Sequence, residues 1–190
     1  TSATPGDVGA LGLLYQWGRK DPFLGSSSVT ESKVAASTGT WNENPNSTIA
    51  EENPMYFFSS LNLPFYCWYS RKTAYDPCPV GWRVPDGDVT GVWALAFGSM
   101  VNYLDMFDHT NYGFNFSGKL GDSSIIWYPA SGRMYGFGLH DVGIYGYYWS
   151  STSDDGYYSY DFYIDNYVNV MAGGRNERSN GQAVRCLQER

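Results

Sequence analysis

The sequence predicts an α+β domain with one or two helices, short antiparallel strands and long loops. Three observations carry that prediction. Helical periodicity is confined to one stretch, where Val89, Val92, Trp93 and Ala96 recur between Asp86 and Phe97. Brief aromatic or β-branched runs bounded by Gly, Pro, Asp and Asn recur along the rest of the chain, the pattern of short strands closed by turns. Between these lie Ser, Thr, Asn and Gly stretches with too few apolar anchors for regular structure. No segment repeats at a period of about 20 to 50 residues, which argues against a solenoid or a propeller.

Taken in order, GLLYQWGRKDPF reads as an edge or closing strand over Leu13 to Trp17, halted by Gly18 and by the turn-forming pair Asp21-Pro22. Leu24 to Asn53 is a long surface loop with only Val29, Val34, Trp41 and Ile49 as anchors. Thr48 and Glu51 fit a capping box for a short helix that Pro54 stops. The aromatic block MYFFSSLNLPFYCWYS packs beneath the loops. Lys72 to Pro85 carries three prolines around Cys78 and Trp82, a rigid extended segment excluded from the middle of a sheet. The helix follows over Asp86 to Phe97, with Asp86 or Asp88 as N-cap and Gly98 as the stop. Val101 to Phe107 reads as a second helical turn, Ile125 to Tyr128 as a strand before Pro129, and Gly132 to Tyr145 as a glycine-punctuated connection.

Composition narrows the function classes. The 190 residues are 43% hydrophobic and 18% aromatic, which fits a single domain over 1–190. A net charge of -7 with 12 Lys plus Arg and no basic run lacks the electrostatic footprint of a nucleic-acid binder. No apolar run approaches the roughly 20 residues of a membrane span, so no direct membrane insertion is expected within this chain. The start, TSATPGDVGA, has neither the charged nor the apolar region of a secretory leader. Cys67, Cys78 and Cys186 include no CxxC, and His109 and His140 lie far apart, so a zinc site is not supported. A bridge from Cys78 to Cys186 would close a loop of about 108 residues and imply an oxidising compartment; the alternative is three buried thiols in a cytosolic protein.

The segment Gly146 to Cys186 is the compositional anomaly. Nine of the chain's 17 Tyr lie between Tyr135 and Tyr167, accompanied by Asp, Asn, Ser, Gly and Arg rather than by Leu, Ile and Val. That mixture is the vocabulary of contact surfaces, where tyrosine supplies rigid area at low entropy cost and small polar residues adapt. An alternating strand over Tyr157 to Asp165 that turns Tyr158, Tyr160, Phe162 and Ile164 inward would send Tyr157, Ser159, Asp161, Tyr163 and Asp165 outward. After a turn at Asp165-Asn166, Val168 and Val170 return inward while Tyr167 and Asn169 stand out. Asn176, Arg178, Ser179 and Asn180, before a final strand Ala183 to Cys186, would complete the patch with donors and an arginine anchor. Candidate chemistry is thinner. Ser150 and Ser151 lack a GxSxG elbow, the histidines fit no triad pattern, and Cys67 stands out only as the odd thiol.

YQWGRKDPF (Tyr15 to Phe23), YDPCPVGWRVP (Tyr75 to Pro85), GYYWSST (Gly146 to Thr152) and AVRC (Ala183 to Cys186) together resemble the surface and fimbria-associated domains of gut anaerobes, similar to the Fibrobacter-type major paralogous domain. The motifs span the chain in the family's order. The resemblance implies a C-type lectin-like fold related in shape to the formylglycine-generating enzyme, with Trp82 and Trp149 as core anchors and the chain ends brought together. Beside that enzyme's reactive cysteine pair, Cys78 and Cys186 are better explained as a structural bridge. The tripeptides of calcium-dependent sugar sites are absent, so no metal or other cofactor is expected, although Asp154, Asp155, Asp161 and Asp165 are oxygen ligands of the kind calcium takes.

A subset of the fold resembles the variable proteins of diversity-generating retroelements of gut bacteria or their phages, whose C-terminal segment is rewritten at adenines. Tyr157 to Val170 contains only residues reachable from an AAC codon by changing its adenines, whereas Met171, Glu177 and Gln182 are not reachable. The expectation is a non-enzymatic, receptor- or adhesin-like protein, exported and displayed at a cell surface, on a fimbria or on a phage particle. Its binding region over 146–186 would meet a protein or glycan ligand. The rivals are an adhesin of fixed specificity and a relative of the formylglycine-generating enzyme.

Overall fold

In the computed structural model, residues 4–26, 63, 66–98, 100–102, 106–116, 126–136, 138–167 and 169–189 are described, 100–102 by their backbone. The first half contributes α1 (Val8–Leu11), β1 (Leu13–Gln16), β2 (Phe23–Leu24), β3 (Trp82–Arg83), α2 (Val92–Phe97), β4 (Met100–Asn102), β5 (Phe107–Asp108) and β6 (Gly113–Asn115). The second half contributes β7 (Trp127–Pro129), β8 (Arg133–Tyr135), β9 (Gly138–His140), β10 (Tyr145–Ser153), β11 (Tyr158–Asp165), β12 (Asn169–Glu177), β13 (Gly181–Ala183) and β14 (Leu187–Gln188). Nine strands form one sheet along the path β2-β1-β13-β10-β11-β12-β4, with β8 attached to β13 and β9 to β8. The pair β14-β3 and the meander β5-β6-β7 are separate small sheets.

The chain is therefore predominantly β, which corrects the α+β expectation. Among the described residues the only helices are four and six residues long. Two local causes shortened the helical content. Asp88 adopts φ 65°, outside the right-handed helical region, and its carboxylate accepts from the Thr90 amide at 2.5 Å and the Thr90 hydroxyl at 2.7 Å. That local turn competes with helix, so α2 starts after Gly91, and neither Asp86 nor Asp88 caps it. Gly98, at φ 88°, ends the helix as expected and donates to the Ala94 carbonyl. Within Val101 to Phe107, residues 101–102 lie in β4 and Phe107 in β5 instead of a helical turn; the strand geometry of 101–102 is held by pairing to β12.

The central sheet is buried on both faces by different materials. On one face, Tyr148, Phe162, Ile164, Val170, Ala172 and Ala183 pack with Trp93 and Phe97 of α2 and with Phe114, Phe116 and Tyr128. Trp93 stacks on Phe162 with centroids 5.2 Å apart, and Phe97 on Phe116 at 4.4 Å. On the other face, Trp149 joins Trp17, Trp68, Cys78 and Val84 in a second cluster. Indole hydrogen bonds lock that cluster across the chain: Trp17 donates to the Ser150 carbonyl at 2.9 Å and Trp149 to the Tyr15 carbonyl at 2.8 Å. The Cys78–Cys186 disulfide borders it, joining residues 108 apart, while Cys67 is buried outside the bridge. A disulfide is compatible with an exported protein.

Pairing of β1 with β13, Leu14 opposite Ala183, brings the early and late parts of the chain together. The final strand of the sheet is Gly181–Ala183 and not Ala183 to Cys186, because Cys186 leaves the sheet for its bridge and β14 pairs with β3. Trp149 is a core anchor, but Trp82 is 40% exposed: it lies on the small β3-β14 ribbon. The Thr48–Glu51 capping box, most of the Leu24 to Asn53 loop, most of the aromatic block before Leu63, and Val168 lie outside the described residues. No helix among the described residues is long and apolar enough to cross a membrane.

Candidate functional site

The candidate residues of the C-terminal segment share one face of β10, β11 and β12, and a single topological step divides them. To pass from β12 to β13 the chain crosses β11 and β10. Residues 178–180 make that crossing on the face of Ser159: the Arg178 amide donates to the Tyr157 carbonyl at 2.8 Å, and the Trp17 amide donates to the Arg178 carbonyl at 3.1 Å.

Five of the expected contact residues are under or within the crossing and a sixth is buried in the turn beyond it, and this corrects their outward assignment. Arg178 is 1% exposed. Its Nε donates to Ser159 Oγ at 2.9 Å, Nη1 to the Leu63 carbonyl at 2.6 Å and Nη2 to Ser153 Oγ, while the guanidinium lies 4.2 Å from the Trp17 ring centroid. Burial lowers its pKa from the ordinary arginine value. Ser159 is buried as the acceptor of this arginine, and the Ser179 carbonyl accepts from Gln16 Nε2 at 2.6 Å. Asn180, also buried, turns the chain through its amide bond to the Glu177 carbonyl at 2.9 Å.

Asp161 is fully buried. Its Oδ2 accepts from Asn176 Nδ2 at 2.6 Å, and Asn176 Oδ1 in turn accepts from Arg133 Nη1 at 2.7 Å. Gln182 lies beside the carboxyl, yet neither Asp161 Oδ1 nor either Gln182 amide atom has a partner of ordinary geometry. Desolvation, only partly offset by Asn176, Gln182 and Arg133, pushes the Asp161 pKa up to about 6. A side chain at the facing Gly174 would collide with this carboxylate. Asp165 is the sixth, buried for another reason. Its Oδ1 accepts from the Tyr167 and Asn169 amides, each at 2.9 Å, and its Oδ2 from Asn169 Nδ2 at 2.8 Å and Tyr163 Oη at 3.0 Å. It staples the turn rather than offering itself to a ligand.

Beyond the crossing the same face is partly exposed, with Tyr145 and Tyr163 half-buried and Tyr147 buried beside Arg133. Cross-strand register sets Tyr147 opposite Tyr163 and Tyr145 opposite Asp165. The rings of Tyr145, Tyr147 and Tyr163 pack into one row, with centroids 5.7 Å apart for Tyr145–Tyr163 and 5.4 Å for Tyr147–Tyr163. Arg133 lies 4.6 Å above the Tyr147 ring and 5.6 Å from that of Tyr135, and its Nε is 3.7 Å from Asp141 Oδ2. Tyr135 and Tyr167 are exposed at the margins, Tyr167 at 69%, with Asn169 beside it and Asn166 half-buried in the turn. Burial raises the pKa of Tyr145, Tyr147 and Tyr163, so these rings keep their phenol protons through the physiological range.

Tyr157 is exposed at 57% but sits at the other end of the strands, on the β10–β11 hairpin, where Asp155 Oδ1 accepts from the Tyr157 and Tyr158 amides at 2.8 Å each. These bonds, with Arg175 nearby, lower the Asp155 pKa. Thus Tyr163, Asn166, Tyr167 and Asn169 assemble at one end, Tyr157 stands at the other, and Asn176 lies between as a structural relay. Sequence reasoning missed Arg133, Tyr135 and Tyr145, and did not include Tyr147 among the contact residues. Alternation in β10, Tyr145-Tyr147-Trp149 against Gly146-Tyr148-Ser150, was the available signal for the two row members. Among the described residues no cluster of three or more His, Cys, Asp and Glu is placed to hold a metal. Comparison of the chain with protein-family models, curated proteins and solved structures finds no match.

Proposed function

We propose that this chain is a non-enzymatic ligand-binding protein, receptor- or adhesin-like, exported and displayed on a cell surface, a fimbria or a phage particle, whose tyrosine row contacts a protein or glycan. The observation that carries the reading is the row itself: Tyr145 and Tyr163, half-buried and locked ring against ring with the buried Tyr147, Arg133 laid over Tyr147, and Tyr167 exposed at the rim. Aromatic rings already fixed by their neighbours lose little entropy when a partner docks, and arginine with tyrosine dominates contact energetics. An array of proteins and glycans probed with the intact chain, and again with Tyr145, Tyr163 and Tyr167 changed to Ala, tests it. Loss of any protein or glycan signal in the triple variant supports the row; a profile unchanged at every ligand removes it.

Rewriting of this face by a diversity-generating retroelement is the finer form of the proposal, in keeping with the family resemblance. Among the described residues of 157–170 the rewritable positions are those whose side chains reach the outside, Tyr157, Tyr158, Tyr160, Tyr163, Asn166, Tyr167 and Asn169, since Phe162, Ile164 and Val170 are fully buried in the core. Sequencing the locus decides this form. A near-identical downstream repeat that differs only at adenines, beside a reverse transcriptase, supports it, and a locus without them leaves an adhesin of fixed specificity.

A further inference from the structure

A second site lies at the opposite end of β10 and β11, about 20 Å of strand away from the tyrosine row. It is a cleft of about 760 Å³ between the hairpin, the segment at Tyr69-Ser70 and the loop at Asp86, with Arg178 lining it. That volume is in the range of small-ligand sites. Its charge is balanced: Asp86, Asp154 and Asp155 line it, Arg83 pairs with Asp86 at 2.7 Å, Arg175 pairs with both Asp154 and Asp155, and the third guanidinium is Arg178. Three carboxylates against three guanidiniums give no net field to draw in an ion.

The hydrogen-bonding groups of the cleft are already oriented by the protein. Thr152 Oγ1 accepts from the Gly87 amide at 2.9 Å, and Ser153 Oγ accepts from Arg178. A hydroxyl held as an acceptor by an N–H keeps its own proton to donate. Two such donors therefore face the cleft at fixed positions, with Ser70 beside them. Asp86 and Asp154 retain acceptor capacity, because Asp86 receives one bond from Arg83 and a long one, 3.3 Å, from Ser151, and Asp154 receives a long one, 3.4 Å, from Tyr160 besides its arginine. Tyr69, 49% exposed, supplies an aromatic ring at the border.

We infer that this cleft binds a neutral saccharide. Every sugar hydroxyl both donates and accepts, which matches neighbouring donor hydroxyls and acceptor carboxylates, and the C–H face of a pyranose packs on an aromatic ring. A charged ligand finds no unbalanced partner, and an apolar one would strand the polar lining without hydrogen bonds. The site is independent of the tyrosine row, since the two share no residue and the Arg178 crossing separates them.

The test uses an array of neutral oligosaccharides probed with the intact chain, with a cleft variant combining Tyr69→Ala, Ser70→Ala and Asp154→Asn, and with a row variant combining Tyr145→Ala, Tyr163→Ala and Tyr167→Ala. Far-ultraviolet circular dichroism and thermal melting confirm that each variant is folded; a cleft triple that fails this check is replaced by Tyr69→Ala alone. The expected result is binding by the intact chain, retention in the row variant and at least a tenfold weakening in the cleft variant. No oligosaccharide bound at millimolar concentration overturns the inference. So does binding that survives in the cleft variant, or that is lost in the row variant alone, which would move the sugar to the tyrosines.

Discussion

The two faces of β10–β12 come from one alternating sequence yet are built by opposite means. Tyr148, Phe162, Ile164 and Val170 bury one face against helix α2 and the small meander, mainly through apolar and aromatic contact, with the Tyr148 hydroxyl donating to the Pro129 carbonyl. On the other face Ser159, Asp161, Asn176 and Arg178 are buried or partly buried by a strand connection that passes over them, through hydrogen bonds. A few residues further along, the same face carries Tyr145 and Tyr163, half-buried against their own neighbours, and the exposed Tyr167. The difference teaches that polar composition in a strand does not by itself give exposure. Topology decides it, and a polar face can be an interior.

The largest expected effect sharpens the apolar half of this comparison. Phe162→Ala should cost about 4 kcal/mol, as large-to-small changes at fully buried aromatic positions do, measured by denaturant unfolding. A loss below about 1 kcal/mol would show that α2 does not seal this face. Next comes the cross-link beside the second face. Changing Cys78 and Cys186 together to Ser should cost about 3 kcal/mol, because the bridge closes a loop of 108 residues. Unchanged stability on reduction of the native chain would contradict that contribution.

A smaller effect separates a buried polar interior from a wet surface. The Asp161 carboxyl titrates at about 6 in the folded chain and at 3.8 unfolded. Between these values the native state keeps a proton that the unfolded state has given up, so stability falls as pH rises from about 4 to 6 and is level above. The difference is worth at most about 3 kcal/mol. Asp161→Asn should remove that part of the slope and raise stability at pH 8; a variant whose pH profile matches the parent's would place Asp161 in solvent. The smallest effect belongs to the exposed residues. Tyr157→Ala and Tyr167→Ala should each change the unfolding free energy by less than about 0.5 kcal/mol, and a larger loss would mean that these rings are packed.

Much of this arrangement was legible in the residues. The strand at Leu13, the stop at Gly98, the exclusion of the Pro-rich segment from the central sheet and the strand at Tyr158–Asp165 rest on local rules, and the chain obeys them, whereas Tyr158 and Tyr160, expected inward, are half-exposed. The helix was overcalled because periodicity at Val89, Val92, Trp93 and Ala96 ignores the left-handed turn at Asp88, which a carboxylate and a threonine create locally. Asp161 and Tyr163 show where sequence reasoning stopped. Both point to the same face two residues apart, yet one lies under the β12–β13 crossing and the other beyond it, and no local pattern announces that β13 inserts between β1 and β10. Arg133 escaped notice for the same reason. It reaches the tyrosines only through the pairing of β8 with β13.

The central claim is that the open end of the second face is where a partner docks. Hydroxyl-radical footprinting of the chain, alone and saturated with a protein or glycan whose array signal the row variant loses, tests it most directly because it reports each ring separately. The account predicts that binding protects Tyr145, Tyr163 and Tyr167 from oxidation while Tyr148 stays unreactive in both samples. Protection that leaves those three rings as reactive as before, and falls on Tyr157 or Tyr69 instead, would contradict it.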